Sequence, residues 1–250
     1  MAAAAPLQAS SQRQRIAGPA GDIEVLVEWP PVPVRGFAAV GHPHPLYGGT
    51  LENKVAATLA RAFLAMGFIA VRPNFRGVGA SAGTHDHGIG ETEDFLRVIE
   101  AVAASPQWAS LPWAPETGGT ASGAPWILGG FSFGTFVAAR AAQVLAQQGR
   151  APQALVLVGA AAGKWAMPPV PPSTIVIHGE VDETIPLADV YPWARACGVP
   201  VIVMPGADHF FHRRLTGLKR LVVQNVLGAA PMAALLGEAA TPAGERGSDE

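Results

Sequence analysis

Three residues whose side chains could cooperate in acyl transfer follow one another along the chain as Ser132, Asp182 and His209. A serine hydroxyl becomes an effective nucleophile when a histidine takes up its proton, and a carboxylate can hold that histidine in the correct tautomer. Each of the three residues comes after a short apolar segment, and the polar residues of a site collect at strand ends in a parallel sheet. We therefore predict a nucleophile, an acid and a base for the cleavage of a carbonyl compound.

Ser132 lies at the centre of a G-x-S-x-G motif formed by residues 130–134. The glycines are needed if the serine occupies a strained turn between a strand and a helix, where side chains two positions away would collide. Residues 79–83 match the same pattern around Ser81, but polar loop residues precede them and no helical face follows. An apolar segment precedes Ser132 and a stretch able to form a helix follows it. Context therefore selects Ser132 as the nucleophile.

Asp182 follows the predicted strand 174–178 and would accept a hydrogen bond from Nδ1 of the histidine. Glu180 and Glu183 are rivals for this role. We prefer Asp182 because the chain needs several residues after the strand to turn back over the sheet. The structural alternative is that Asp182 or Thr184 caps the helix that follows.

His209 follows the predicted strand 200–204 and would take the Ser132 proton and later protonate the leaving group. His212 is its rival, and we place His212 in the first turn of the last helix. A lone histidine among phenylalanines is more often a packing residue. The order serine, acid, histidine favours His209, because this is the order found in the α/β-hydrolase fold.

Acyl transfer also requires N–H donors where the oxyanion develops. The first predicted donor is the backbone N–H of Phe133, the residue after the nucleophile. The second should come from the loop after the predicted strand 36–41. The prolines on either side of His44 carry no N–H, so His44 is our first choice and Leu46 our second.

Short buried strands alternate with amphipathic helices along most of the chain. This alternation predicts an α/β protein of the α/β-hydrolase fold, with a mostly parallel twisted sheet and helices on both faces. We expect residues 105–123 to form an irregular surface loop. The predicted strands are 23–29, 36–41, 68–71, 125–130, 154–158, 174–178 and 200–204, and the predicted helices contain residues 55–66, 95–102, 133–148, 188–197 and 215–226.

The segment 159–173 is too short to hold a helical cap, so we predict no cap domain. Without a cap the site should be open and suited to small or short-chain acyl groups. Tyr47, Phe133, Trp165 and Phe210 are the aromatic residues expected to line it, and a packing role is the alternative for each of them.

Composition excludes several classes of protein. Apolar residues make up 49% of the 250 residues, charged residues make up 14%, and the net charge is −2, so neither nucleic acid nor a membrane surface is an expected partner. No apolar run reaches the roughly 18 residues of a membrane-spanning helix. With Cys197 as the single cysteine and no secretory signal, we expect a cytoplasmic protein acting on a small molecule, while a homodimer is left open. We predict a disordered segment 1–12, a single domain at 13–230 and a flexible tail 237–250.

Three stretches of the sequence carry a specific likeness to a known family: His42–Thr50, Asn53–Val55 and Asn74–Gly83. Together with the motif around Ser132, they resemble a family of small, lidless bacterial α/β-hydrolases. These are predicted serine esterases akin to dienelactone hydrolases. The likeness runs from about Asp22 to Leu227.

The resemblance implies that Ser132, Asp182 and His209 are the catalytic triad. It also implies that the loop 74–83 is mainly architectural, with Arg76 tying loops together. The chain departs from the family pattern at Pro73 and in the histidine-rich residues 84–87, and neither departure touches the triad.

We therefore expect a serine hydrolase that cleaves small or short-chain carboxylic esters through an acyl-enzyme on Ser132, without a cofactor. A thioesterase, peptidase or acyltransferase would use the same groups, and a catalytically silent binding module is the alternative from a different class. A metal-dependent hydrolase would need histidine ligands, although no H-E-x-x-H motif occurs. The histidines available for it are the pairs His42 and His44, His85 and His87, and His209 and His212.

Overall fold

The computed structural model of the chain describes residues 10–117, 120–121 and 123–235. The seven predicted strands are confirmed, with ends that shift by one or two residues, and each predicted helix is present. The strands are β1 (Ser10–Gly18), β2 (Gly21–Trp29), β3 (Gly36–Gly41), β4 (Phe68–Pro73), β5 (Trp126–Phe131), β6 (Ala154–Val158), β7 (Ile175–Gly179) and β8 (Val201–Met204). The helices are α1 (Lys54–Ala65), α2 (Ile89–Ala103), α3 (Phe133–Gln147), α4 (Leu187–Cys197) and α5 (Leu215–Leu235).

All these strands form one sheet in the order β1-β2-β4-β3-β5-β6-β7-β8. Strands β3 to β8 pair in parallel, whereas β2 is antiparallel to both β1 and β4. This confirms the mostly parallel sheet. Because parallel strands end at the same edge, the loops after β3, β5, β7 and β8 open on one side of the molecule.

Helices cover both faces of the sheet because its strands are apolar on both faces. In β5, Ile127 packs on the side of α1 and α5, and Leu128 packs on the side of α2, α3 and α4. Both side chains are fully buried. A strand buried on both faces reads as a continuous apolar run, which is why the sequence revealed these strands.

The prediction of a disordered segment at 1–12 is wrong for residues 10–12, which begin β1. This edge strand pairs with β2 from Ser10 opposite Trp29 to Gly18 opposite Gly21. Only Ile16 among its side chains is buried, so backbone pairing holds the strand and the sequence shows no apolar periodicity. Residues 1–9 and the predicted tail 237–250 lie outside the described residues.

The segment predicted as a surface loop at 105–123 contributes two tryptophans to the core. The buried rings of Trp108 and Trp113 lie 6.0 and 5.5 Å from the ring of Phe37 in β3. Nε1 of Trp108 also donates to the carbonyl of Val102 at 2.7 Å. The prediction missed this packing because these tryptophans stand in an irregular segment, where no period indicates which way they point.

The loop 74–83 and helix α2 are joined by a buried ion pair. Nε and Nη2 of Arg76 donate to the two carboxylate oxygens of Asp94, both at 2.9 Å, and Nη2 also donates to the carbonyl of Gly90. A bidentate pair of this kind fixes direction as well as distance. Arg76 thus connects the two elements, as the family resemblance implied.

Residues 159–174, all of them described, connect β6 to β7 without a helix. The connection therefore forms no helical cap over the carboxyl edge of the sheet. None of the helices in the described ranges is both long enough and apolar enough to cross a membrane.

Candidate active site

The loops that carry the three predicted residues meet at the carboxyl edge of the sheet. Ser132 follows β5, Asp182 follows β7 and His209 follows β8. Only β6 separates β5 from β7 in the sheet, and β7 is the neighbour of β8. The parallel topology thereby brings together side chains that are 27 and 77 residues apart in sequence.

Ser132 occupies a strained turn between β5 and α3, with φ 54° and ψ −124°. A Cβ on Gly130 would overlap the carbonyl oxygen of Gly134, and a Cβ on Gly134 would overlap the carbonyl oxygen of Gly41 in β3. These oxygens belong to the backbone and cannot move aside easily. The two glycines of the motif are therefore required by the close approach of β5, α3 and β3.

The second G-x-S-x-G match has a structural role. Oγ of Ser81 donates to the carbonyl of Asn74 at 2.7 Å and accepts the N–H of Glu24 at 2.9 Å. Gly79 and Gly83 have φ values of 57° and 82°, a left-handed conformation that glycine adopts without strain. The same pattern thus arises here from left-handed turns, whereas at the nucleophile it arises from close backbone packing.

Ser132, His209 and Asp182 form a continuous hydrogen-bonded chain. Nε2 of His209 lies 3.1 Å from Oγ of Ser132, and Nδ1 of His209 lies 2.7 Å from Oδ2 of Asp182. His209 and Asp182 are both buried. A carboxylate at Nδ1 keeps the proton on that nitrogen and leaves the lone pair of Nε2 facing the hydroxyl. The arrangement can therefore move a proton from the serine to the imidazole.

The two carboxylate oxygens of Asp182 have separate partners. Oδ1 accepts the backbone N–H groups of Thr184 at 2.9 Å and Ile185 at 2.7 Å. Oδ2 faces His209. Asp182 closes the turn ahead of α4 with one oxygen and meets the histidine with the other, so a structural role and a chemical role are compatible.

Two of the rival residues, Glu180 and His212, have other hydrogen-bond partners. Oε2 of Glu180 accepts the N–H of Gly206 at 2.7 Å, and Glu183 lines a neighbouring cavity. His212 lies ahead of α5, not in its first turn, because α5 begins only at residue 215. Its exposed ring places Nδ1 2.6 Å from Oδ2 of Asp208. The geometry therefore favours the acid and the base that we predicted over these rivals.

Two backbone amides are candidates for binding an oxyanion, because neither has an acceptor among the described residues. Phe133 is the first residue of α3, so its N–H has no acceptor within the helix. The N–H of His44 donates to no other described residue, whereas the N–H of Leu46 donates to Nδ1 of His44 at 3.2 Å. Phe133 and His44 both line the cavity beside Ser132. These observations favour Phe133 and His44 over Leu46 as the proposed donors.

The loop that carries His44 is held by His42, which is fully buried just after β3. Nδ1 of His42 donates to the carbonyl of Pro43 at 2.6 Å, and Nε2 accepts the N–H of Phe75 at 2.9 Å. Burial lowers the pKa of His42 to about 4, so the ring is neutral at neutral pH, as this pair of bonds requires. The Pro43 carbonyl and the His44 N–H belong to one planar peptide unit, so His42 fixes its orientation.

A cavity of about 420 Å³ opens beside Ser132. Trp165 forms an aromatic wall, with its ring centre 4.8 Å from that of Phe133 and 5.7 Å from that of His44. Tyr47 lines the open side and is 86% exposed. The structure thus places three of the four predicted aromatic residues around the cavity. Its other lining residues, which the sequence did not indicate, are Ala161, Lys164, Thr184 and Ile185.

Phe210 does not line this cavity, which corrects our expectation. It lines a separate cavity of about 350 Å³ that His209, but not Ser132, also borders. The ring of Phe210 packs against His209 at 5.1 Å and Phe131 at 5.9 Å between ring centres. This packing holds the ring of Phe210 against His209 and Phe131 at the second cavity.

Thr135 supports the nucleophile turn, and sequence reasoning missed it. Its Oγ1 donates to the carbonyl of Ser132 at 2.6 Å and accepts the N–H of Ala161 at 3.0 Å. One hydroxyl thus links the turn to the loop after β6, which supplies Ala161 and Trp165 to the cavity wall. The sequence carries no signal for this link, because a threonine in the first turn of a helix forms no pattern with a distant loop.

His44, His85 and His87 form an aromatic and polar cluster beside the cavity. Nδ1 of His85 lies 2.8 Å from Oε1 of the buried Glu91, and its ring centre lies 4.7 Å from that of His44 and 5.1 Å from that of His87. Both ring nitrogens of His42 are already hydrogen bonded. In the described part of the chain, no three or more His, Cys, Asp or Glu side chains are grouped so that they could hold a metal ion.

Solved structures of hydrolases resemble this chain over most of its length. An α/β serine hydrolase without a lid from Xanthomonas campestris is 34% identical, with a TM-score of 0.72 over 87% of this chain and 94% of that one. An α/β serine hydrolase homologue from Coxiella burnetii is 35% identical, with a TM-score of 0.68 over 86% and 96% of the two chains. A dienelactone hydrolase from Anabaena variabilis is 14% identical, with a TM-score of 0.65 over 88% and 98%, and this likeness concerns the fold alone.

One curated relative, an uncharacterized protein of Rickettsia prowazekii, is 37% identical over 121 residues. The match covers 48% of this chain and 45% of that protein, so it spans less than half the length of the relative. No family model matches the chain.

Proposed function

Because the chain belongs to the family of α/β serine hydrolases without a lid, we propose that it hydrolyses small or short-chain carboxylic esters through an acyl-enzyme on Ser132. The observation that carries the proposal is the hydrogen-bonded chain from Ser132 through His209 to Asp182. A buried base between a hydroxyl and a carboxylate is the arrangement that nucleophilic acyl transfer uses.

In the proposed acylation step, Oγ of Ser132 attacks the ester carbonyl carbon while Nε2 of His209 takes the hydroxyl proton. The carbonyl oxygen becomes an oxyanion and receives the N–H groups of Phe133 and His44. Each such donor contributes roughly 10²–10³ in kcat. His209 then gives its proton to the departing alcohol, and the acyl group remains on Ser132.

In the proposed deacylation step, His209 takes a proton from a water molecule, which attacks the acyl carbon. The same two amides receive the second oxyanion. His209 then returns the proton to Oγ of Ser132, and the carboxylic acid leaves. Throughout both steps Asp182 stabilises the imidazolium that forms at His209 and does not itself take the proton.

The dimensions of the cavity support a substrate of modest size. Its volume of about 420 Å³ lies toward the lower end of the range of about 300–1,000 Å³ that is usual for ligand pockets. Trp165 and Phe133 offer an aromatic wall, and residues 159–174 contain no helix that could close over it. An acyl chain of a few carbons fits this description better than a long one.

Hydrolysis of p-nitrophenyl acetate and butyrate by the wild type and by Ser132→Ala tests the proposal. Loss of the nucleophile should reduce kcat on the order of 10⁵- to 10⁶-fold, while circular dichroism shows that the fold persists. Undiminished turnover by Ser132→Ala would refute the assignment. Parallel panels of short thioesters and peptides identify the preferred acyl compound.

A fluorophosphonate probe that reacts with activated serines gives a second readout with a matched control. We expect the probe to label the wild type and not Ser132→Ala. Ser81→Ala removes the serine of the other G-x-S-x-G match and should retain labelling. A folded wild type that neither reacts with the probe nor turns over any ester would instead favour a catalytically silent binding module.

A further inference from the structure

His178 is a buried histidine that the proposed reaction does not use. It lies in β7, four residues ahead of Asp182, and its side chain is 0% exposed. Its Nε2 lies 2.9 Å from the carbonyl oxygen of Ile185 and 3.3 Å from Oδ2 of Asp182. Its Nδ1 is buried and has no hydrogen-bond partner among the described residues. A buried ring nitrogen without a partner is costly, so the residue requires an explanation.

The partners of His178 determine where its proton is. A carbonyl oxygen and a carboxylate oxygen only accept hydrogen bonds, so Nε2 must carry the proton and Nδ1 must be bare. Burial lowers the pKa of His178 and so favours the neutral ring, although the nearby Asp182 acts in the opposite direction. The titratable groups that face His178 are Asp182 and His209. The ring is thus a neutral donor pointing toward the carboxylate.

Ile185 connects His178 to the acid through both ends of its backbone. Its N–H donates to Oδ1 of Asp182 at 2.7 Å, while its carbonyl accepts from Nε2 of His178. The carboxylate of Asp182 therefore closes the turn 182–185 by accepting a backbone N–H of the turn, and His178 holds the same turn to β7 by donating to its carbonyl. Ile185 also lines the cavity beside Ser132, so the same turn places a wall of the cavity.

We propose that His178 is a positioning residue: by holding the carbonyl of Ile185 it fixes the turn 182–185 and directs Oδ2 of Asp182 at Nδ1 of His209. The inference rests on the proposed function, because it assigns His178 a part in orienting the proposed acid. His178 contacts no reacting atom. It acts through Asp182, which acts in turn through the base.

Two amide substitutions at His178 test whether the hydrogen-bond donor to Ile185 must lie at the position of Nε2 or only needs to be present on the side chain. The side-chain nitrogen of glutamine is three bonds from Cβ, as Nε2 of histidine is, whereas that of asparagine is two bonds from Cβ, as Nδ1 is. His178→Gln can therefore still donate to the carbonyl of Ile185, and His178→Asn cannot reach it. Both variants remove the titratable ring and make similar changes in polarity.

We expect His178→Asn to lower kcat for p-nitrophenyl acetate by about 10- to 100-fold, because the turn 182–185 loses its hydrogen bond from β7 and the acid is misplaced. His178→Gln should restore most of the wild-type kcat, because its amide nitrogen can still donate to the carbonyl of Ile185. Equal kcat values for the two folded variants would overturn the inference.

Ser132→Ala in the same assay distinguishes the two proposals. If it retains turnover, the proposed function fails. If turnover depends on Ser132 and the two His178 variants behave alike, only the inference about His178 fails. The rate of fluorophosphonate labelling gives the same comparison without relying on a particular ester.

The wild type supplies a further test that does not depend on the folding of any variant. Nitrogen-15 NMR of the side chains should find the proton of His178 on Nε2 and none on Nδ1 at neutral pH. A neutral ring with its single proton on Nδ1 would overturn the inference, because Nε2 could then not donate to Ile185.

Discussion

The buried His42 should make the stability of the protein depend on pH in a way that one substitution removes. Its pKa is lowered from 6.5 to about 4, chiefly by burial. In the unfolded chain the ring takes up a proton below about pH 6.5, whereas in the folded protein it stays neutral down to about pH 4. Protons therefore favour the unfolded state between these values, so stability falls as the pH is lowered through this window.

The size of the effect follows from the two pKa values. They differ by about 2.5 pH units, and each unit corresponds to about 1.4 kcal/mol, so the complete effect of His42 is about 3.5 kcal/mol. At pH 4 the ring is half protonated in the folded protein as well, so about 3 kcal/mol of the free energy of unfolding is lost between pH 7 and pH 4. That is a large part of the roughly 5–15 kcal/mol by which domains are stable.

Urea unfolding followed by tryptophan fluorescence at a series of pH values measures this loss. In His42→Gln the amide oxygen can accept the N–H of Phe75 but cannot titrate, so its stability should be lower at pH 7 and should fall less toward pH 4. His87→Gln, which removes an exposed imidazole, should keep the wild-type pH dependence. Parallel curves for the wild type and His42→Gln would refute the reasoning.

Three further substitutions test other parts of the site. Gly134→Ala forces a Cβ into the carbonyl of Gly41, so we expect a loss of stability of about 1–3 kcal/mol or more in thermal unfolding, together with slower fluorophosphonate labelling. Thr135→Val removes the hydroxyl that accepts the N–H of Ala161 and donates to the carbonyl of Ser132, and it leaves that buried N–H without its acceptor. This should cost about 1–3 kcal/mol, whereas Thr135→Ser should cost less; equal losses would contradict the role of the hydroxyl. Trp165→Ala should change the dependence of kcat/KM on acyl chain length, and Phe210→Ala should not, because Trp165 lines the cavity beside the nucleophile and Phe210 lines another cavity.

The sequence predicted those parts of the site that local chain geometry determines. The turn at Ser132 requires two glycines for steric reasons, and the apolar runs on either side identify the strand and the helix. The positions of Asp182 and His209 after their strands follow from the general rule for parallel sheets. The choice between the two G-x-S-x-G matches also depended on local context alone, and the structural role of Ser81 agrees with it.

Features that depend on contacts between segments distant in the chain could not be predicted from the sequence. The edge strand β1 is held by backbone pairing, which leaves no pattern in side chains. Phe210 follows His209 directly, yet the direction of its ring is set by packing against Phe131, which a sequence does not reveal. His178 and Thr135 act through hydrogen bonds to backbone groups of other segments. Because every residue carries a backbone carbonyl, the sequence does not indicate which one a given side chain will bind.

Within the described part of the chain, every polar group that contacts the carboxylate of Asp182 offers it a hydrogen. Oδ1 meets the amides of Thr184 and Ile185, and Oδ2 meets His209 and, at longer range, His178. An asparagine in this place would turn its NH₂ group either toward the two backbone amides, which only donate, or toward His209. In the second case His209 could accept it only in the tautomer with a bare Nδ1, and Nε2 would then carry a proton and could not take the one on Ser132. The surroundings therefore suit a group that accepts on both sides, and among side chains of this length only the aspartate anion does so.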